Sequence, residues 1–351
     1  MPIKPGTGNL LTQDVDALVN TVNTQGVMGK GIALQFKKAW PEMFRSYQAA
    51  CRRGEVVPGK VHVWETHAAT GPRLIVNFPT KRHWRERSRL TDIVAGLTDL
   101  TRVIREFDLR SIAVPPLGCG NGGLDWRDVR PRIEEALEPL ADSVTIILFA
   151  PSSAPEAAAQ PNREQRPALT PARAAMLGVM REYERLTLEP PTLIEVQKLA
   201  YFLQLAGEPL RLDFQPAHYG PYANNLRKAL RAMEGHFIIG FGDGSASVND
   251  AEPIRVMPEM DQVLTEYIAV HPETRQRIQD VLETVEGFES TYGLELLATV
   301  RWILEHDEAA RRNTQVVHDR VQKWSRRKAS LFTQEHIEQA WRKSAKAVEP
   351  A

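Results

Sequence analysis

Cysteine is scarce in this chain, since only Cys51 and Cys119 occur among 351 residues. Two cysteines are too few for a disulfide framework and show no metal-ligand spacing, so the sequence predicts no metal site and a reducing, cytoplasmic setting. No apolar stretch approaches the roughly 20 residues that span a bilayer. The start of the chain also lacks the basic and then apolar profile of a secretion signal, so we expect no association with a membrane.

Charge of one sign is not in excess either, because 44 Lys and Arg stand against 44 Asp and Glu. Whole-chain charge therefore gives no reason to expect nucleic acid or a membrane as a partner, and only local clusters can. The length favours two domains. Residues 152–169 are rich in Pro, Ala and Gln with almost no large apolar side chains, which predicts a flexible linker between domains at 1–151 and 170–351.

Three glycines follow a short apolar strand near the start of the chain. Residues 19–23 have the β-branched content of a buried strand, and apolar side chains in 32–39 have the spacing of a helix packed on a sheet. Between them, Gly26, Gly29 and Gly31 uncover the backbone at a helix N-terminus, where N–H groups suit an anion such as a diphosphate. Glycines before a helix also form ordinary turns, so this stretch alone leaves both interpretations open.

Strands and helices alternate through the rest of residues 1–151. Strands are expected at 60–66, 74–78, 111–115 and 144–149, the last fully buried, and helices at 41–53, 88–107 and 125–140, with Ser88 and Asp125 as N-caps. The pattern predicts an α/β domain of three layers, α/β/α, with a mixed, mainly parallel sheet whose ligands bind beyond the carboxyl ends of the strands. A second glycine loop, residues 117–123, follows a strand at such an end.

Four motifs taken in order, GTGNLL, VNTVNTQGVMGKGIALQFKKAWPEM, NFPTKRHW and PPLGCGNGGLDW, resemble those of a macrodomain, the ADP-ribose-binding module. The resemblance covers residues 1–150 and points to the branch that contains the terminal ADP-ribose glycohydrolase and the DarG antitoxins. It implies that ADP-ribose is bound and that no separate cofactor takes part.

By this resemblance, the residues that bind ADP-ribose fall into two neighbourhoods. Asn9 and Leu10 would lie beside the adenine and the first loop. The distal ribose and the diphosphate would face Asn23, Gly29, Lys30, Gly31 and Ile32, and the second loop would close over the phosphates with Gly118, Cys119, Gly120, Asn121, Gly122 and Gly123. Thr80 and Leu124 complete the set of residues expected to bind ADP-ribose.

Lys81 follows the strand at 74–78 and so belongs to the same edge of the sheet as both glycine loops. A lysine after a strand is ordinarily a solvated loop residue, but the resemblance implies that Lys81 is catalytic, because the matching lysine of this branch is associated with cleavage of the ADP-ribosyl bond. Its ammonium group would stabilise or protonate the leaving group at ribose C1. Alternatively, its neutral amine would attack the opened sugar aldehyde as a Schiff-base nucleophile. A lowered pKa would serve either role.

One departure separates this sequence from the terminal ADP-ribose glycohydrolase, which pairs its lysine with an aspartate in the second glycine loop. Here that loop carries Asn121, Gly122 and Gly123, and Asp125 comes later, where we expect it to cap a helix. A Lys/Asp pair is therefore not expected, and Lys81 would act with substrate groups or water.

The residues after Lys81 form a basic run that includes one indole: Arg82, His83, Trp84 and Arg85, with Arg87 and Arg89 beyond them. Cations neutralise a nucleic-acid backbone and an exposed indole stacks on a base; the alternative is a solvated loop whose tryptophan folds inward. The resemblance favours DNA, because DarG antitoxins remove ADP-ribose that a partner toxin, DarT, attaches to a base in single-stranded DNA. The first four residues of the run are thus candidate DNA contacts.

The predicted function is that of an antitoxin in a DarT/DarG-type system. The first domain would be a hydrolase that removes ADP-ribose from thymidine-type bases of single-stranded DNA. Two alternatives remain open at this point: a module that binds ADP-ribose without cleaving it, and a hydrolase that acts on ADP-ribosylated carboxylates of proteins.

Residues 170–351 are predicted to form an α-rich domain with a small β element. Helices are expected from 170, at 193–206 and at 222–234, and a strand pair at 237–241 and 254–257. The segments KLAYFLQ (198–204) and HYGPY (218–222) resemble a Panacea or SocA-like antitoxin domain, so this half would bind and neutralise a DarT-like ADP-ribosyltransferase. His218 lacks a carboxylate, serine or cysteine in a recognisable arrangement, and no catalysis is expected there.

Charge in this domain is separated along the chain. Residues 280–308 carry eight carboxylates and one arginine, whereas residues 311–346 carry ten Lys or Arg and three carboxylates. Either the two stretches pair with each other across antiparallel helices, or the acidic stretch occupies a nucleic-acid-binding groove of the toxin by matching its charge.

Overall fold

The computed structural model describes residues 3–151, 161–244, 246 and 251–345. The chain divides into two compact units, Met1–Gln165 and Arg166–Ala351. Part of the predicted linker, residues 152–160, lies outside the described residues. Of the remainder, Arg163 donates its backbone N–H to the carbonyl oxygen of Lys38 in the first unit, and Leu169 packs against the core of the second unit.

The first unit is built on one six-stranded sheet. Its elements in chain order are β1 (Lys4–Pro5), β2 (Ala17–Asn23), α1 (Gly31–Ala39), α2 (Pro41–Arg52), β3 (His62–Glu65), β4 (Leu74–Lys81), α3 (Leu90–Glu106), β5 (Ser111–Val114), α4 (Trp126–Leu137) and β6 (Thr145–Leu148). The strand order is β1-β6-β5-β2-β4-β3, and all neighbours are parallel except β3 and β4. The mixed, mainly parallel sheet is confirmed.

Helices cover both faces of this sheet. Side chains of β2 alternate between the two faces, so that Ala17 and Val19 enter one core while Leu18 and Val22 enter the other. Helices α3 and α4 complete the first core, and α1 and α2 complete the second. Almost every residue of β2 and β4 is buried, including Asn20 and Asn77, as expected for strands that are covered on both faces. The three-layer arrangement is confirmed.

The predicted cap of α3 is wrong. Arg89 holds the N-cap position and makes no side-chain hydrogen bond to the helix. Ser88 instead donates its backbone N–H to the carbonyl oxygen of Gly122 at 2.9 Å. A tertiary contact with the second glycine loop has therefore replaced the local cap that the sequence favoured.

Two strand predictions also need correction. Strand β4 continues past Phe78 and ends at Lys81, so Lys81 is the last residue of the strand and not part of the loop that follows it. Strand β6 is not fully buried, because Thr145 and Ile147 are partly exposed. Its outer neighbour is the two-residue strand β1, which covers little of that edge of the sheet.

The second unit is rich in helices, as predicted. Its elements are α5 (Pro171–Thr187), α6 (Leu193–Leu205), β7 (Phe214–Ala217), β8 (Gly220–Ala223), α7 (Asn224–Met233), β9 (Ile238–Ile239), β10 (Arg255–Val256), α8 (Met260–Val270), α9 (Pro272–Val285), α10 (Thr291–His306), α11 (Glu308–Arg312), α12 (Thr314–Trp324), α13 (Arg326–Leu331) and α14 (Gln334–Ala345). The predicted pairing of β9 with β10 is confirmed. Among the described residues, no helix has both the length and the apolar character to cross a membrane.

The HYGPY segment forms part of a hairpin that the sequence did not predict. Strands β7 and β8 are antiparallel, with Ala217 opposite Gly220 across the turn at His218 and Tyr219. Helix α7 therefore begins at Asn224 and not at Tyr222, which belongs to β8.

Charged side chains are buried where α10 meets α13. Glu295 is 1% exposed and accepts hydrogen bonds at 2.6 Å from both Arg327 and Lys328. Asp307 accepts from Arg320 at 2.8 Å, and Glu286 lies 3.6 Å from Lys343. Pairing between the acidic and the basic stretch is thus confirmed for these three carboxylates.

A further buried lysine lies beside this cluster. Lys198 of α6 is completely buried and donates from Nζ to the carbonyl oxygen of Pro221 in β8 at 2.6 Å. Its burial and the nearby charge of Lys328 lower the pKa of Lys198 to about 7. The lysine thus joins α6 to the β7–β8 hairpin.

Candidate functional site

The candidate site lies at the carboxyl ends of β5, β2 and β4, which are neighbours in the sheet. At the end of the β2–β4 pair, Asn23 lies opposite Lys81. The first glycine loop leaves β2 at this end, and the second glycine loop follows β5. The sequence-based prediction that Lys81 and both loops share one edge of the sheet is confirmed.

Asn23 holds the first glycine loop together. Its side-chain Nδ2 donates to the carbonyl oxygen of Val27 at 2.6 Å, and its Oδ1 accepts from the N–H of Gln25 at 2.8 Å. The hydroxyl of Tyr47 on α2 donates to the carbonyl oxygen of Asn23 at 2.5 Å. The amide that the resemblance assigned to the distal ribose therefore already fixes the shape of the loop.

Helix α1 begins where the first glycine loop ends. Lys30 occupies the N-cap position in an extended conformation, and its side chain makes no capping hydrogen bond. Gly31 has φ +56°, a left-handed conformation that favours glycine. The N-terminus of α1 thus carries no side-chain acceptor at its cap, and such a helix end attracts an anion. Gly29 and Ile32, on either side, are both partly exposed.

The second glycine loop is closed by its own backbone. Leu124 donates its N–H to the carbonyl oxygen of Gly118 at 3.1 Å. A Cβ at Gly122 would lie 2.2 Å from the Ser88 hydroxyl oxygen and 2.4 Å from the oxygen of Gly118, so no side chain fits there. A Cβ at Gly120, in contrast, would meet no atom within 4 Å. The loop is therefore tightly packed at Gly122 and open at Gly120.

Cys119 lies in this loop but is not poised as a nucleophile. Its Sγ donates to the carbonyl oxygen of Leu117 at 3.6 Å. Burial, with a smaller contribution from the negative charge of Asp125, raises the pKa of Cys119 to about 11. Since the thiolate is the reactive form, this cysteine is a structural member of the loop.

Lys81 joins the sheet to the second glycine loop. Its Nζ donates to the carbonyl oxygen of Asn121 at 2.9 Å. A Cβ at Gly31 would lie 3.2 Å from Nδ2 of the same asparagine, so the backbone of the first loop approaches it as well. Partial burial lowers the pKa of Lys81 below its ordinary value. The amine and both glycine loops thus meet at Asn121.

Asp125 acts as a helix cap, as predicted. Its carboxylate accepts from the N–H of Arg127 at 2.8 Å and forms an ion pair with the guanidinium of the same residue. These hydrogen bonds lower the pKa of Asp125 to about 2. The carboxylate is therefore engaged by α4, which agrees with the absence of a Lys/Asp pair.

A short 3-10 turn, Leu10–Thr12, follows β1 with Asn9 as its N-cap, and Asn9 and Leu10 are both buried. The side chain of Asn9 accepts from the N–H of Leu11 at 3.0 Å, so it stabilises the turn. Thr80, also buried, donates its hydroxyl to the carbonyl oxygen of Val22 at 3.3 Å and joins β4 to β2.

Arg82 is held by the protein itself. Its guanidinium contacts both carboxylate oxygens of Asp92, at 2.7 and 3.2 Å. Its carbonyl oxygen accepts from the hydroxyl of Thr24 at 2.7 Å, in the first glycine loop. Of the four candidate DNA contacts, Arg82 is thus the one with a structural role in binding the segment to both α3 and the first loop.

The next three residues of the basic run form a surface group, in which Trp84 and Arg85 are exposed and His83 is partly exposed. Trp84 is 44% exposed, so its indole does not fold into the core. The ring of His83 stacks on it with centroids 5.5 Å apart, and the guanidinium of Arg85 lies 4.4 Å from the centre of the indole. A cationic aromatic surface therefore adjoins Lys81.

Sequence reasoning missed Tyr47 and the loop-binding role of Ser88. Tyr47 is one α-helical turn from Met43 on the buried face of α2, a spacing that marks a core residue and conceals the hydrogen bond of its hydroxyl. Ser88 was assigned to a cap because serine is common there. Its buried hydroxyl has no hydrogen-bond partner among the described residues.

Comparison with known proteins agrees with this geometry. A family model described as "Macro domain" matches residues 19–133, a range that includes both glycine loops and Lys81. A relative from Mycobacterium tuberculosis (strain ATCC 25618 / H37Rv), named "DNA ADP-ribosyl glycohydrolase", is 44% identical over 343 residues, which are 95% of this chain and 96% of the relative.

Two further proteins match a part of the chain. The solved structure "Macrodomain of Mycobacterium tuberculosis DarG" is 57% identical, with a TM-score of 0.42, and the match covers 43% of this chain and 98% of that one. A protein from Thermosipho africanus (strain H17ap60334), named "DNA ADP-ribosyl transferase-DNA ADP-ribosyl glycohydrolase fusion protein", is 34% identical over 156 residues, which are 40% of each chain.

Proposed function

Because this chain belongs to the family of DNA ADP-ribosyl glycohydrolases, we propose that it is a DarG-like antitoxin that hydrolyses the bond between ADP-ribose and a base of single-stranded DNA. The observation that carries this proposal is the position of Lys81, whose amine contacts the second glycine loop at Asn121, the residue that Gly31 of the first loop also approaches. A DNA substrate also agrees with the cytoplasmic setting predicted from the sequence.

The diphosphate of ADP-ribose is assigned to the space between the N-terminus of α1 and the second glycine loop. Main-chain N–H groups in such loops bind phosphate oxygens without a side chain. The open surface at Gly120 supports this assignment, because no protein atom occupies the position of a side chain there. Lys81 then adjoins the distal ribose of the ligand, which is the ribose bonded to the DNA base.

Lys81 is assigned the role of proton donor and electrostatic stabiliser. An ammonium group has three N–H donors, and one of them goes to the carbonyl oxygen of Asn121. The others can stabilise the negative charge that develops on the leaving base as its bond to ribose C1 breaks. The base leaves with a proton from Lys81, and a water molecule adds to C1. The proton that this water loses returns to the amine of Lys81. The carboxylate of Asp125 takes no part, since Arg127 holds it.

The surface group of His83, Trp84 and Arg85 is assigned to the DNA strand next to the modified base. An indole that is 44% exposed offers a surface for stacking, and two neighbouring basic side chains attract phosphodiester groups. Arg82 supports this group through its ion pair with Asp92.

The second unit is assigned to the toxin, an ADP-ribosyltransferase of the DarT type. The Thermosipho africanus fusion protein supports a functional link, because its name combines a transferase with a glycohydrolase in one chain. Within the acidic residues 280–308, Asp280, Glu283 and Glu289 make no ion pair with the other described residues. A nucleic-acid-binding groove on the toxin would attract such carboxylates.

The hydrolase is tested with the full chain and a single-stranded oligonucleotide that carries one ADP-ribosylated thymidine. Wild type should release ADP-ribose from the oligonucleotide. Lys81→Ala should still bind free ADP-ribose, but it should hydrolyse the oligonucleotide about 10² to 10⁴ times more slowly. Lys60→Ala removes an exposed lysine that precedes β3 and that has no assigned role, and it serves as the matched control. Full activity of Lys81→Ala would remove this lysine from the mechanism.

The substrate and the partner are tested in parallel. If ADP-ribose is released faster from an ADP-ribosylated glutamate peptide than from DNA, the substrate is a modified protein. If it is released from neither, the chain binds ADP-ribose without cleaving it. Inhibition of a DarT-type transferase should require residues 170–351. A chain that ends at residue 165 and still blocks the transferase would contradict the assignment of the second unit.

A further inference from the structure

The cations that follow Lys81 differ in what holds them. The guanidinium of Arg82 pairs with Asp92, and that of Arg85 lies over the ring of Trp84. Arg87 is exposed, and among the described residues its side chain has no hydrogen bond or ion pair. Its donors are therefore available to a ligand.

Arg87 lies against the second glycine loop. A Cβ at Gly123 would be 3.8 Å from Nε and 3.9 Å from Cγ of Arg87. The next residue, Ser88, fixes the main chain here by donating its N–H to the carbonyl oxygen of Gly122 at 2.9 Å. The approach of Arg87 to the loop thus follows from a backbone hydrogen bond as well as from the direction of its side chain.

Two cations therefore border the same short loop. Lys81 contacts it at Asn121, and Arg87 lies beside it at Gly123. The loop is assigned to phosphate in the proposed function, and a guanidinium matches phosphate better than other basic groups do, because its planar N–H donors bind two oxygens at once. A carboxylate partner that would compete for Arg87 is absent from the described residues.

We propose that Arg87 is a phosphate-binding residue of this site, which the resemblance to macrodomains did not assign. The proposal rests on the proposed function, because the phosphate belongs to ADP-ribosylated DNA. Its source is either the diphosphate of ADP-ribose or a phosphodiester of the strand, and both present the same oxygens to the guanidinium.

The test uses the full chain with Lys81→Ala, so that binding is measured without consumption of the substrate. Arg87→Gln is compared with Arg105→Gln, which removes the same charge from an exposed arginine at the opposite end of α3. Calorimetry gives the affinity for free ADP-ribose. Fluorescence anisotropy gives the affinity for an ADP-ribosylated oligonucleotide at several salt concentrations.

A contact with the diphosphate predicts that Arg87→Gln weakens the binding of both ligands by about tenfold or more. A contact with the strand predicts that only the affinity for the oligonucleotide falls. The slope of log affinity against log salt concentration should then become shallower by about one unit. Equal affinities of Arg87→Gln and Arg105→Gln for both ligands would overturn the proposal. Arg87→Lys should restore part of the affinity, because it keeps the charge and loses the planar donors.

The outcome is separate from that of the hydrolase test. If wild type releases no ADP-ribose and Arg87→Gln still weakens the binding of ADP-ribose, the residue assignment stands while the hydrolase fails. Thermal unfolding of Arg87→Gln should match that of Arg105→Gln, because neither side chain makes a hydrogen bond or an ion pair within the described residues.

Discussion

The side-chain nitrogen of Lys81 lies 2.9 Å from the carbonyl oxygen of Asn121, a residue 40 positions further along the chain. The same asparagine directs its Nδ2 toward the backbone of Gly31, at 3.2 Å from where a Cβ would be. One residue therefore relates the lysine to both glycine loops. The distance between the proposed catalytic amine and the proposed phosphate-binding loops therefore depends on how the loops fold and not on the lysine alone.

The pH dependence of hydrolysis should report the form in which Lys81 acts. Partial burial lowers its pKa from the ordinary value of 10.5, so the ammonium group loses its proton at a lower pH than a solvated lysine. If the ammonium form stabilises the leaving base, the rate should fall as pH rises through this lowered pKa. Initial rates of ADP-ribose release, measured in alkaline buffers, check this expectation.

A Schiff-base mechanism predicts the opposite change, because the neutral amine becomes more abundant as pH rises. It also predicts a covalent adduct of enzyme and sugar after reduction with borohydride, visible by mass spectrometry. A rising rate together with an adduct at Lys81 would contradict the role proposed here.

The shape of the second glycine loop should be sensitive at one glycine and tolerant at another. Gly122→Ala places a Cβ 2.2 Å from the Ser88 hydroxyl and should displace the loop, which weakens the binding of ADP-ribose and lowers the melting temperature. Gly120→Ala meets no protein atom within 4 Å and should keep the melting temperature of wild type. Calorimetry and thermal unfolding measure both effects, and equal melting temperatures of the two variants would refute the packing argument.

Trp84 should matter for DNA and not for the free ligand. Trp84→Ala is expected to cost about 1–3 kcal/mol in the binding of an ADP-ribosylated oligonucleotide, because an exposed indole stacks on a base. Free ADP-ribose is the internal control, since it has no neighbouring nucleotide. A similar loss for both ligands would show that the indole supports the site rather than the strand.

The buried Lys198 should make the stability of the second unit depend on pH. Its pKa of about 7 lies below the ordinary 10.5, so between these values the unfolded chain binds a proton that the folded chain does not. The free energy of unfolding should therefore rise with pH from about 7 upward, by at most about 1.4 kcal/mol per pH unit for this group.

Lys198→Met should reduce that slope, and Lys60→Met, at an exposed position, should leave it unchanged. Calorimetric melting of the full chain at several pH values between neutral and about 9 tests the difference. A slope in Lys198→Met equal to that of wild type would mean that Lys198 remains protonated in the folded protein.

The position of Lys81 could be predicted because it depends on topology alone. The apolar and β-branched residues of β2 and β4 mark both as buried strands of a mainly parallel sheet, and the carboxyl ends of neighbouring parallel strands lie at one edge. Any residue at the end of β4 must therefore lie near the loop that follows β2. The motifs of both loops are also local, so they can be read directly from the sequence.

The hydrogen bonds around the loops could not be predicted in this way. Asn23 uses its amide within its own loop, and Tyr47 reaches it from 24 positions away. The amide contacts depend on the turn geometry of residues 24–30, and the tyrosine contact depends on how α2 lies on the sheet. Neither is encoded in a periodic pattern.

The β7–β8 hairpin was missed for a related reason. Its strands contain Pro216, Gly220 and Pro221, which have low β-propensity and read as loop. The carbonyl oxygen of Pro221 accepts from the buried Lys198. A lysine in an amphipathic helix is ordinarily expected to be exposed. Neither the sequence of the hairpin nor that of α6 therefore indicated this contact.

The segment from Arg82 to Ser88 is attached at its two ends to different loops, through the Thr24 hydroxyl at Arg82 and the carbonyl oxygen of Gly122 at Ser88. It acts as a spacer of fixed length between them. The number of residues between these two attachments should therefore constrain the site as strongly as the chemistry of Trp84, Arg85 and Arg87 does, because an insertion or deletion would alter the distance between the two loops.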